Sequence, residues 1–362
     1  MLKDRQQKEL ALKFIVAQQW FPQMEIDVKT QVQIAKKPLL LTDIDVLASI
    51  PDLFKGHRNV LFDCKTKAKE SPINRALWQS GLIDHVNATH GYCILKKDNI
   101  SVDHRISASE LCVTLMTENE FEIYADTVSP GFADCDAACA KMDLWEAYFE
   151  IGKNFPRLSD AVEFTRSGYW MLEREAGTLR NTLVSLQQIA NELDPSKPSH
   201  VTLVGNLAAL FLRSLSAISA EIFHAYLKPK SNDDLSEALK LLLYGGRSAY
   251  EHRNQLWKML KNSKGIENPP DLQLPDWERF LKFFRQILDA PAEVLHGALL
   301  CREIAFGHPE GPESTYAKEL ANGRKQGARF AILCLGYLDK AAGIPPEFSD
   351  AMINRIGALQ DS

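Results

Sequence analysis

Between residues 24 and 125 short apolar runs alternate with turns. "MEIDVKTQVQI" (24–34), "LLLTDIDVLASI" (39–50), "NVLFDCKT" (59–66), "GYCILKK" (91–97), "ELCVTLM" (110–116) and "FEIYA" (121–125) carry β-branched or aromatic residues at strand spacing. Two helical patterns interrupt them. Residues 3–20 place Leu10, Phe14 and Leu12, Ile15, Val16 on an apolar face. Residues 72–86 follow Ser71, a capping residue, and open on Pro72, which suits the first helical position. The predicted order is α, β, β, β, α, β, followed by extra strands.

After "DTVSPGFADCDAACAKMD" (126–143) the pattern changes to helical periodicity. Helices are predicted over 158–193, 199–227, 233–262, 275–307 and 314–341, with breaks at Lys228-Pro229, "GIENPPDLQLP" and "GHPEGPES". No fixed-period repeat emerges. The expected layout is an α/β domain over 1–135 and an all-α domain over 143–362.

Composition adds boundaries rather than identity. The 362 residues are 45% hydrophobic and 25% charged, as in ordinary globular proteins. A net charge of −5 argues against coating nucleic acid by positive field alone, while leaving room for a local basic groove. The start "MLKDRQQKEL" is charged and carries no secretory signature. The most apolar run, 201–223, contains Arg213 and Glu221 and reads as a buried helix, not a membrane span. Seven scattered cysteines do not form a disulfide framework. The expectation is a soluble cytoplasmic protein with no membrane contact.

One stretch departs from the apolar pattern. "LTDIDVLASIPDLFKGHRNVLFDCKTK" (41–67) sets Asp43, Asp45, Asp63 and Lys65 within two predicted strands. Charged residues are rarely buried unless paired or bound. Alternation puts Asp63 and Lys65 on one face, with Phe62 and Cys64 on the other. An antiparallel hairpin centred near Phe54 sets Asp45 opposite Asp63 and Asp43 opposite Lys65. Two carboxylates and a backbone carbonyl suffice for Mg²⁺, which lowers the pKa of a bound water and stabilises phosphoryl charge. A nearby lysine can orient or deprotonate that water, or offset transition-state charge. The plainer alternative is a solvated hairpin with Asp–Lys cross-strand pairs.

An aspartate on one strand, then Asp-x-Lys on the next, inside an αβββαβ order, resembles the PD-(D/E)XK nuclease superfamily with its restriction-endonuclease-like fold. Asp45 matches the first acidic ligand and Asp63-Cys64-Lys65 the (D/E)XK element, over roughly residues 1–100. Ile44 stands where many members have proline, and Asp63 replaces the commoner glutamate. The resemblance implies a nuclease using Mg²⁺ or Mn²⁺, with DNA preferred over RNA. Asp45, Asp63 and the Cys64 carbonyl would bind metal, and Lys65 would act on the water or the phosphate. Glu9, on the opening helix, falls where many members carry a further acid. Gln79, on the second helix, falls where a polar residue can touch phosphate or water. The helical half would serve substrate selection, dimerisation or partner docking, by analogy with restriction and phage-defence proteins.

Arg75 and Gln79 share a helical face beside Trp78. Lys55, Arg58, Lys65, Lys67, Lys69 and Arg75 form a local basic stripe against only Asp63 and Glu70, the footprint of an approaching phosphate backbone. Other signals are weaker. Cys135 and Cys139 lack a second pair for zinc, and His85 and His90 flank a turn. No Walker-type loop, G-x-G-x-x-G or G-x-S-x-G occurs. Arg247 and His252 are similar to the R-x4–6-H element of HEPN ribonucleases, although Ser248 stands where Asn, Asp or His is usual. Two alternatives therefore accompany the nuclease: a non-catalytic nuclease-fold protein acting through its helical surface, and a ribonuclease using Arg247 and His252.

Overall fold

The computed structural model describes residues 2–30, 38–52, 56–66, 71–172, 174–307 and 314–361. Its first part runs α1 (Arg5–Ala17), β1 (Phe21–Lys29), β2 (Leu40–Asp52), β3 (Gly56–Lys65), α2 (Pro72–His85), β4 (His90–Leu95), α3 (Val102–Glu110), β5 (Val113–Thr117) and α4 (Glu118–Val128). The expected α, β, β, β, α, β order is present. The five strands form one mixed sheet in sequence order. β1, β2 and β3 pair antiparallel, whereas β3, β4 and β5 pair parallel through the α2 and α3 crossovers.

One expectation fails here. "FEIYA" lies within helix α4, not in a strand. Thr117 accepts from the Glu120 N–H while the Glu120 carboxylate accepts from the Thr117 N–H, a capping box that starts the helix just before Phe121. Phe121 and Ala125, one turn apart, then bury together. The segment before β5 is also helical, since Ser101 caps α3 through the His104 N–H. The end of the expected strand 24–34 falls partly on 31–37, outside the described residues.

The remainder is helical: α5 (Met142–Asn154), α6 (Ser159–Glu163), α7 (Glu175–Ile189), α8 (Pro198–Tyr226), α9 (Asn232–Tyr244), α10 (Arg247–Ser263), α11 (Trp277–Ile287), α12 (Val294–Gly307), α13 (Thr315–Gly323), α14 (Lys325–Ala342) and α15 (Glu347–Asp361). The predicted long helices are subdivided. Residues 233–262 break at Gly245 and Gly246, both at φ 93°, a conformation L-residues seldom adopt. Residues 158–193 leave the α-helix through a π turn at Phe164–Gly168, after which Tyr169 turns inward to bond Ser214 and the Leu210 carbonyl of α8.

The sheet is covered on both faces. Ala76, Leu82 and Ile83 of α2 and Ala108 of α3 pack with Leu47, Leu61, Cys93, Leu95 and Leu115. On the other side Phe14 of α1, Val46, Ala48, Val60 and Phe62 belong to the same buried cluster as Leu207, Leu215 and Ile218 of α8. The last strand ends at Thr117, earlier than the expected change after 126–143, and the hydrophobic core runs across both positions. α8, the apolar run of 201–223, is the shared wall, and its most hydrophobic window is entirely buried. Gly56 (φ 82°) allows β3 to start against it, because a Cβ there would stand 3.0 Å from that of Ala217. Two buried guanidinium groups tie the halves together. Arg213 donates to Ser49 of β2 and to Glu175, and Arg302 donates to Asn206 and the Pro22 carbonyl while stacking 3.9 Å from the Phe21 ring centroid.

Candidate functional site

The β2–β3 register joins Val46 to Phe62 and Asp52 to Gly56, and the next position in that register sets Asp45 opposite Asp63. The ladder stops there while β2 continues along β1 as far as Leu40. At this fork the N–H of Cys64 donates to Asp45 Oδ2 at 2.9 Å, so a side chain replaces the missing strand partner. In an extended strand the N–H and C=O of one residue face the same neighbour, so the Cys64 carbonyl also faces the fork.

Lys65 closes the constellation. Its Nζ donates to Asp45 Oδ2 at 2.8 Å and lies 3.3 Å from Asp63 Oδ1. The two carboxylate oxygens are therefore at most about 6 Å apart. Arg75 of α2 grips Asp63 from the other side, with Nε at 2.8 Å from Oδ2 and a second nitrogen on Oδ1. The Arg75 guanidinium also lies 4.2 Å from the Trp78 ring centroid. Lys8 of α1 reaches Asp45 Oδ1 at 3.0 Å and contacts Glu25 of β1. The result is a row of alternating charge: Glu25, Lys8, Asp45, Lys65, Asp63, Arg75. The Asp45 and Asp63 side chains are 4% and 3% exposed, whereas Lys65 keeps 21%. Solvent reaches the row at Lys65.

Electrostatics follow from this order. Burial pushes the Asp45 carboxyl up, but Lys8 and Lys65 outweigh it and hold the group below its ordinary range. Burial dominates at Asp63 and, with repulsion from Asp45, raises its carboxyl despite Arg75 and Lys65. Burial lowers Lys65, yet Asp63 and Asp45 more than compensate, so its ammonium holds the proton more tightly than usual. Burial and the two aspartates push the Cys64 thiol well up, which removes it as a nucleophile.

The sequence candidates divide. Asp45, Asp63, Lys65 and the backbone of Cys64 come together. Gln79 lies close by but is buried, donating to the Leu61 and Tyr92 carbonyls and accepting from the Cys93 thiol, so it clips β3 to β4. It covers Gly91, where a Cβ would stand 2.6 Å from the amide nitrogen. Glu9 is not part of the group: it lines a separate groove with Arg5, Asp136 and Met142. Lys8, one position earlier, takes the place expected of an acid. Asp43 is exposed opposite Asp27 of β1 and does not pair with Lys65. Of the basic stripe, Arg58 pairs with Asp52 at 3.1 Å, and Lys55, Lys67, Lys69 and Glu70 lie outside the described residues.

Lys8 and Glu25 are the residues that sequence reasoning missed. The signal for Lys8 was its position one and two turns before Leu12 and Ile15, on the buried face of α1. Arg247 and His252 sit on the exposed α10, where five residues separate them by about 140° around the axis, and Arg247 pairs with Glu237 at 2.7 Å. A cavity of about 930 Å³ lined by His57, Trp170, Glu175 and Tyr226 lies toward the opposite end of β3 and includes none of the row.

Whether a hard cation fits can be judged from the donors. Two carboxylates on adjacent strands meet at a point held by an ammonium, itself a cationic stand-in, with a carbonyl facing the same fork. Each carboxylate oxygen has two lone-pair sites, so Asp63 can hold Arg75 and still accept a cation. Oxygen donors of this number and kind suit Mg²⁺ or Mn²⁺ with water completing the shell. Among the described residues no group of three His, Cys, Asp or Glu side chains stands at metal-binding spacing. No family model, curated protein or solved structure matches the chain.

Proposed function

We propose that the chain is a metal-dependent nuclease of the PD-(D/E)XK kind, hydrolysing phosphodiester bonds of nucleic acid, DNA before RNA. The observation that carries the reading is the meeting of Asp45, Asp63 and Lys65 at the β2–β3 fork, in the register expected from the hairpin midpoint. Asp45, Asp63 and the Cys64 carbonyl would hold Mg²⁺ or Mn²⁺, which supplies Lewis acidity and a more acidic water when bound. Asp63 and Asp45 favour the charged form of Lys65, which would position the water or offset negative charge on the scissile phosphate. Its half-buried ammonium and the neighbouring Arg75 mark the side from which a phosphate would approach. The helical half, sharing its core with the sheet, would select substrate, dimerise or dock a partner, with restriction or phage defence as the biological setting by analogy.

The test is incubation of purified protein with single- and double-stranded DNA and RNA, with Mg²⁺, with Mn²⁺ and with chelator. Cation-dependent cleavage that is lost in Asp63→Ala supports the reading. A second reading has its own observation: both oxygens of Asp45 and of Asp63 already carry cationic partners, so the row is balanced as a purely structural network. That scaffold reading gains if no substrate is cut and calorimetry finds no cation binding that depends on Asp45 and Asp63.

A further inference from the structure

Three carboxylates stand in sequence across the row, and an ammonium fills each gap between them. Lys65 takes the Asp45–Asp63 gap. Lys8 takes the Glu25–Asp45 gap, 3.0 Å from Asp45 Oδ1. The Lys8 side chain is 3% exposed and that of Glu25 12%, so this second gap is nearly closed to water. Asp45 thus shares one oxygen with each ammonium, the arrangement by which a carboxylate bridges paired divalent ions roughly 3.5–4 Å apart in two-metal sites.

Packing does not require this lysine. Lys8 lies on the α1 face that Leu12 and Ile15 bury, where a methionine would fill similar space. Buried ion pairs are weak contributors to stability when apolar residues of similar volume can replace them. The backbone is also arranged for the contact. Glu25 has φ 56°, in the left-handed region that non-glycine residues seldom occupy, and the Arg166 Nε donates to its carbonyl at 2.6 Å. Met24 and Ile26 on either side keep regular pairing with Val46 and Ile44.

We propose that Lys8 is a built-in monovalent substitute for a second divalent cation, neutralising Glu25 and Asp45 so that the site takes a single divalent ion, between Asp45 and Asp63. The inference rests on the nuclease reading. Lys8 is a positioning residue: it acts on Asp45 and touches neither substrate nor the bound ion. With a single ion, Lys65 would be the group that offsets further negative charge on the phosphate.

The experiment is titration of the full-length chain with Mn²⁺, followed by calorimetry and electron paramagnetic resonance, with thermal melts in chelator and in Mn²⁺. The wild type should bind one ion with an uncoupled spectrum. Lys8→Ala opens the gap and leaves Glu25 and Asp45 unneutralised. It should bind two ions with an exchange-coupled spectrum, melt lower than wild type in chelator, and gain more from Mn²⁺ than wild type does. Should Lys8→Ala not fold in chelator, the double variant Lys8→Met/Glu25→Gln removes both charges of the pair and should fold and bind one ion. Two ions in the wild type, or one ion in Lys8→Ala with no extra Mn²⁺ stabilisation, overturns the inference while leaving the nuclease reading in place. No binding by either protein overturns both.

Discussion

Asp45 accepts the backbone N–H of Cys64 where β2 parts from β3, so one carboxylate both terminates a ladder and receives two lysines. Removing it should therefore cost more than an ordinary strand substitution. Asp45→Ala leaves Lys8 and Lys65 without their shared anion and one strand donor unpaired. Breaking buried pairs of this kind costs about 3–5 kcal/mol. Asp45→Asn keeps an acceptor for Cys64 and should lose less. Urea unfolding of the two variants checks this, and equal losses would count against the double role.

Acid sensitivity near neutral pH should arise away from the row, at histidines whose pKa burial lowers, among them His90, His200, His296 and in particular His57. Its side chain is 2% exposed beside Arg213 and Glu175. Burial, then Arg213, lowers its pKa below the ordinary 6.5. The folded protein thus binds this proton less readily than the unfolded chain. The stabilising contribution is complete above 6.5 and is lost as pH falls from there through the folded value. Melting temperature should drop between pH 7 and pH 5, and His57→Gln should flatten that part of the profile. An unchanged slope in the variant would assign the acid sensitivity to other groups.

The shared core sets a further expectation. Val60 and Phe62 of β3 and Leu215 and Ile218 of α8 bury one another's surroundings in a single cluster. Residues 1–135 made alone would expose that sheet face to water, at about 25 cal/mol for each Å² of apolar surface. The full chain should melt in one cooperative transition, and the 1–135 fragment should bind hydrophobic dye without a cooperative melt. Two separated transitions in the full chain would show the halves to be independent.

Much of the strand pairing is legible in the sequence. The Asp45–Asp63 register follows from one number, the midpoint of the 50–58 connection, because a strand repeats every two residues and a hairpin fixes which pairs face each other. The spacing puts Gln79 on one face with Arg75, but whether that face reaches the cleft or the strands beneath depends on Gly91, whose missing Cβ lets the amide descend. Lys8 and Glu25 were hidden for a tertiary reason: neither the approach of α1 to the sheet nor the left-handed Glu25 backbone is encoded in local periodicity. "FEIYA" misled because its composition is strand-like, while the Thr117–Glu120 signature that overrides it lies outside the run. The helix breaks were missed where glycine pairs or a π turn interrupt a continuous apolar pattern.

Arg75 offers a test of how Asp63 stays available. Its fork opposes the effect of burial on the carboxyl. Arg75→Gln removes that opposition, so protonation of Asp63 should extend to higher pH and compete with cations over a wider range. In a Mn²⁺ titration series from pH 4 to pH 8, affinity should begin to fall at a higher pH in the variant than in the wild type, so the ratio of affinities between the two ends should be larger in the variant. The same ratio in both would mean that Arg75 does not govern the protonation of Asp63.

The central claim is that the β2–β3 fork cuts phosphodiesters with a bound cation. Single-turnover cleavage of DNA by wild type, Lys65→Ala and Asp63→Ala, each in Mn²⁺ and in chelator and each paired with a Mn²⁺ titration, tests it most directly. Loss of a charge-stabilising group typically slows such chemistry by about 10²–10³. Lys65→Ala should therefore bind Mn²⁺ yet cleave at least that much more slowly. Asp63→Ala should lose both binding and cleavage, and chelator should silence the wild type. Cleavage that persists in chelator, or at the wild-type rate in Lys65→Ala or Asp63→Ala, contradicts the claim.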